Sequence, residues 1–152
     1  MIVQLYLNKI EVLQDEESKT AFSDFDDLEL CTQKIKGHNS DLSFTLDFLL
    51  NKQTQESTTV NTEVIKMFSD HLGLFFIGDQ ESENVCFANS IEVRPEYRQS
   101  FRLIDLLDYI YAFAHSYVFK ESQKIMLTSE TDSFWKLVKI GSRLRKAQLP
   151  DI

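Results

Sequence analysis

Two arginines, Arg98 and Arg102, flank the point where a strand-like run gives way to an apolar helix. The segment is IEVRPEYRQSFRLIDLL, residues 91–107. It reads as a strand, a turn carrying Pro95, and then the helix. A helix N-terminus presents free backbone N–H groups and partial positive charge, which makes it a natural place for an anion. The arginine forks suit phosphate oxygens through charge-assisted hydrogen bonds. The same side chains can instead pair with Asp105 or Glu96, the ordinary fate of surface arginines.

Other chemistries find less in the chain. His38, His71 and His115 have no metal-type spacing with one another or with the two cysteines, Cys31 and Cys86. Those cysteines lie far apart and fit no redox or zinc pattern, so they read as reduced thiols of a cytoplasmic protein. No nucleophile elbow, P-loop or dinucleotide fingerprint is present. Trp135, beside Phe134, reads as core.

The 91–107 segment resembles the cofactor loop of the GCN5-related N-acetyltransferases, whose pattern runs roughly V-x-P-x-Y-R-G-x-G-I-G. Val93, Pro95, Tyr97 and Arg98 match it; Phe101 and Leu103 stand where the family has glycines. The resemblance covers residues 72–141. It implies a single domain over 1–152: an α/β fold with a mixed, largely antiparallel sheet flanked by helices. It further implies acetyl-CoA as cofactor, held by Val93, Arg98, Gln99, Ser100, Phe101, Arg102 and Leu103 and lying between two splayed strands, Val85–Val93 and Lys124–Thr128.

Acyl transfer needs a base for the ammonium proton and donors for the developing oxyanion. The resemblance places Glu92 as base and the backbone near Val93 as donor. The general acid is open among Tyr97, Tyr111 and Ser133, because Leu137 occupies the place of the family's usual tyrosine. The implied acceptor is a small amine or basic peptide, and a homodimer is compatible with the family. The alternative is a non-catalytic relative that binds a protein partner through an acidic surface. The loop decides between them: a Cβ at the closest approach fills the space of the diphosphate. Phe101, Ile104 and Leu107 also fit helical spacing, which sends Phe101 into the core instead.

Composition sets the outer limits. A chain of 152 residues with twelve phenylalanines can bury a substantial aromatic core. No apolar run approaches the roughly 20 residues of a membrane span, and the first residues lack the basic leader of a signal peptide. The net charge of −8 opposes attraction to nucleic acid. It is unevenly spread: Ser133–Ile152 carries five cations and one anion, so the rest carries −12. Asp15, Glu16, Glu17, Asp24, Asp26, Asp27 and Glu29 crowd together near the front. They form either a solvated face or an acidic mouth that recruits a cationic amine.

The elements that would position these residues follow from periodicity. Ile2–Leu7 alternates as a strand, while Phe22–Ile35 fits helical spacing only loosely. Ser43–Leu49 alternates as a strand, and Asn51–Thr59 reads as a polar loop. Val60–Leu72 is helical, with Asn61 or Thr62 as cap. Gly73–Gly78 reads as a buried strand, Asp79–Asn84 as a turn and Val85–Val93 as a strand. Phe101–Val118 is a broad-faced helix whose polar edge is Arg102, Asp105, Asp108 and His115. Lys124–Thr128 is a strand. A last helix starts at Asp132 or Ser133 and stops at Gly141.

Overall fold

The computed structural model describes residues 6–10, 25–38, 42–54, 57–77 and 100–148. They form an α/β structure with more helix than strand. Among the described residues the strands form three two-stranded pairings. Of the two strands expected to splay, Val85–Val93 lies outside the described residues and Ile125–Met126 pairs antiparallel with Ser43–Phe44.

Residues 6–10 (α1) are helical, not extended. Tyr6, Leu7 and Ile10 are buried while Asn8 and Lys9 are exposed, which is the period of a helix. Next comes α2, Phe25–His38, with Asp26 and Asp27 in its first turn, where the helix dipole favours acids. Leu28, Cys31, Thr32 and Ile35 form its buried stripe.

The strand expected over Ser43–Leu49 ends after two residues. Ser43–Phe44 (β1) pairs with Ile125–Met126 (β6). The Thr45 side chain then accepts from the Phe48 N–H and starts a short helix, α3, Leu46–Leu49. The polar stretch expected to be a loop is a hairpin, with β2 (Leu50–Thr54) antiparallel to β3 (Ser57–Val60). Backbone pairing makes such a ladder, and β-branched Thr58, Thr59 and Val60 favour it whatever their polarity.

Helix α4, Thr62–Leu72, matches expectation closely. The Asn61 side chain accepts from the Glu63 N–H at 2.9 Å. Val64, Phe68 and Leu72 are buried, and Gly73 closes the helix at φ 71°, a left-handed conformation natural to glycine. Strand β4, Phe75–Ile77, runs parallel to β5, Ser100–Arg102. It is not a fully buried strand, because Phe75 is 72% exposed.

Phe101 therefore lies in a strand and not in the helix expected from that residue onward. Helix α5 runs Leu103–Ala114, with every residue from Leu106 to Ala114 buried. It stops short of Val118 because Ser116 intervenes. The Ser116 hydroxyl donates to the Phe113 carbonyl at 2.6 Å and accepts from the Phe119 N–H, starting α6, Tyr117–Ser122. Helix α7, Thr131–Gln148, passes through Gly141 instead of ending there. A Cβ on Gly141 would sit 1.9 Å from the Asp108 carbonyl oxygen, so this glycine marks where α7 crosses the backbone of α5.

Around that crossing lies an aromatic core. Phe134 packs on Tyr109 at 5.4 Å and on Phe101 at 5.9 Å between ring centroids. Phe68 joins Tyr109 at 5.1 Å, and Phe76 covers Phe101 at 5.4 Å. The Tyr109 hydroxyl donates to the Met126 carbonyl at 2.6 Å and ties β6 to the helices.

Candidate functional site

Parallel strands β4 and β5 end at Ile77 and Arg102, and a cleft of about 650 Å³ opens beyond them. Its other walls are the first turns of α5 and α7, through Asp105, Thr131, Asp132 and Trp135. Ligands of α/β proteins commonly sit outside the carboxyl ends of parallel strands. Two helix N-termini at one cleft add partial positive charge there.

That charge is largely answered by the protein itself. Asp105 accepts from the Arg102 N–H at 3.0 Å, and the Arg102 guanidinium stands 3.9 Å from the same carboxylate. Burial pushes the Asp105 carboxyl above its usual range, against the lowering effect of the Arg102 N–H bond and charge. Asp132 places a second acid in the first turn of α7. Trp135 forms the aromatic wall, and its indole N–H is buried with no hydrogen-bond partner among the described residues.

The expected site residues divide. Ser100 and Arg102 line the cleft. Phe101 points into the core at 1% exposure. Leu103 opens α5 and packs, partly buried, against the core. Glu92, Val93, Tyr97, Arg98 and Gln99 lie outside the described residues. The other two candidates for the general acid are buried away from the cleft: Tyr111 is 3% exposed, and Ser133 donates to Glu130 at 3.3 Å.

An acetyl-CoA diphosphate at the start of α5 needs open backbone amides and room for its oxygens. Here the Arg102 amide is bonded to the Asp105 carboxylate at 3.0 Å.

A second polar cluster escaped the sequence reading, which placed Asp108 and His115 on a wet edge. Both are buried, at 2% and 6% exposure. Arg145 grips Asp108 through two nitrogens, and the Tyr6 hydroxyl donates to Asp108 Oδ1. Burial, then the neighbouring Asp108 charge, drives the Tyr6 hydroxyl far above the usual phenol range. The hydrogen bond to Asp108 raises Arg145 in turn. The one advance signal was an acid and an arginine on two helices with apolar faces; nothing in the sequence set their register.

Among the described residues no group of three or more His, Cys, Asp or Glu could hold a metal ion. No described helix is long and apolar enough to cross a membrane. No family model, curated protein or solved structure matches the chain.

Proposed function

We propose that this chain is a non-catalytic binding protein whose acidic surface engages a basic protein partner. The supporting observation is the Arg102 N–H bound to Asp105 at 3.0 Å, which fills with the chain's own carboxylate the position a cofactor phosphate would take. Phe101, buried under Phe76 and Phe134, supports the same reading. The net charge of −8 and the exposed Asp26 and Asp27 on α2 favour a cationic partner. A labelled oligo-arginine peptide, followed by fluorescence polarisation, tests this. The expected result is salt-sensitive binding that weakens in Asp26→Lys and Asp27→Lys; no binding even at low salt contradicts it.

A second reading, acyl transfer from acetyl-CoA to an amine with Glu92 as base and Tyr97 as acid, draws support from one observation. Ser100 and Arg102, two of the residues the resemblance assigns to the cofactor, both line the cleft. Thermal unfolding with acetyl-CoA separates the two readings. A ligand at a hundred times its Kd adds about 2.7 kcal/mol of stability, and the binding role expects no change.

A further inference from the structure

We infer that the solvent face of α7 docks an acidic segment of a partner protein. This surface has the opposite sign to the one proposed above and does not depend on it. Along α7 the exposed positions are Asp132, Lys136, Lys139, Arg143 and Lys146, with Ala147 beside the last. The charged ones recur at steps of three and four, which keeps them on one side of a helix. Phe134, Leu137, Ile140 and Leu144 take the opposite side into the core. Lys136, Lys139, Arg143 and Lys146 thus form a single basic stripe, about 15 Å long at the rise of a helix.

Little in the fold itself uses these charges. Arg145, also on α7, is turned inward onto Asp108 and stands apart from the stripe. Among the described residues no carboxylate forms an ion pair with Lys136, Lys139 or Lys146. The negative end of the helix dipole accounts for Lys146 in the last turn. That effect fades within one turn, so it does not reach Lys136 or Lys139.

Charge density selects the occupant. Double-stranded nucleic acid carries one charge per about 1.7 Å, roughly nine over the length of the stripe. Most of these would go unanswered, and the chain outside Ser133–Ile152, at −12, repels them. A lipid surface takes up apolar anchors beside the cations. Among the described residues the large apolar side chains left exposed are Leu30, Phe48, Phe75 and Tyr117, none of them on α7. An acidic helix offers on one face about one carboxylate per turn, about three or four over the same distance. Those meet the stripe one for one, as the charged flanking positions of paired helices do.

A fluorescently labelled octaglutamate peptide, titrated with the whole chain and followed by polarisation, tests this. The expected result is saturable, salt-sensitive binding. Lys136→Gln combined with Lys139→Gln should weaken it about tenfold or more. Both sites are exposed and glutamine is a good helix former, so the fold is kept. Lys66→Gln combined with Lys124→Gln removes the same charge from exposed sites off α7 and should cost clearly less. No binding even at low salt, or an equal loss in the two double variants, overturns the inference. Tighter binding of a short DNA duplex, or of phosphatidylserine vesicles, through Lys136 and Lys139 also overturns it, because the stripe then has a different occupant. Failure here leaves the oligo-arginine result untouched, since the two peptides carry opposite charge and report on different faces.

Discussion

Arg145 reaches Asp108 with both arms of its fork, Nε to Oδ1 at 2.9 Å and Nη2 to Oδ2 at 3.1 Å, one helical turn beyond Gly141. The two features are linked. Only a residue without a Cβ lets α7 lie against the Asp108 carbonyl, and that approach brings the guanidinium within bonding distance of a carboxylate buried in the core.

Gly141→Ala therefore reverses the usual rule. In an open helix that change gains roughly 1 kcal/mol. Here the added methyl meets backbone at 1.9 Å, and overpacking of this kind costs about 1–3 kcal/mol. Urea denaturation reads the sign, and a more stable alanine variant counts against the observed crossing.

Breaking the Asp108–Arg145 pair from one side strands a buried charge. Asp108→Asn is expected to lose about 3–5 kcal/mol. Tyr6→Phe leaves the pair intact and removes one hydrogen bond to a charged group, worth about 1.5–3 kcal/mol. Chemical denaturation ranks the two variants. A larger loss for Tyr6→Phe would mean that the hydroxyl, and not the guanidinium, is the main partner of Asp108.

The Asp105 carboxyl titrates above its ordinary value of 3.8 because it is buried. A folded carboxyl raised in this way binds more protons than the unfolded one, so its contribution favours acid. That contribution is fully present below about 3.8 and is lost as pH rises through the folded value. Asp105→Asn has no such titration. Relative to the parent chain, the variant should gain stability between pH 3.5 and pH 7, as followed by denaturation at a series of pH values. A gap that is flat with pH, or that moves the other way, contradicts the burial of this acid.

Cys31 is buried and its thiol is raised, first by desolvation. Thiolate is the reactive form. Alkylation of the native chain followed by mass spectrometry should leave Cys31 unlabelled until denaturant is added. Rapid native labelling would show that α2 opens readily from the core.

Local signals carried the sequence reading where one helix supplied everything needed. Asn61, the Val64–Phe68–Leu72 stripe and Gly73 specify α4 from cap to stop. The apolar stripe of α5 was equally plain. The failures share a cause, namely partners far away in the chain. Asp108 looked like a wet edge because Arg145 lies 37 positions on. Gly141 looked like a stop because its reason is the backbone of another helix. Thr45 and Ser116 interrupt their expected elements through side-chain caps that apolar periodicity does not register. At the cleft, Arg102 and Ser100 were named from the sequence only as contacts of a cofactor, whereas Asp132 and Trp135 come from a second helix whose approach no local pattern encodes.

The most direct test follows the backbone amide of Arg102 while acetyl-CoA is added to the whole chain. With Asp105 holding that N–H at 3.0 Å, the amide signal is expected to stay in place up to millimolar cofactor. A saturable displacement of the Arg102 signal would show that phosphate can replace the carboxylate, and it would contradict a non-catalytic role.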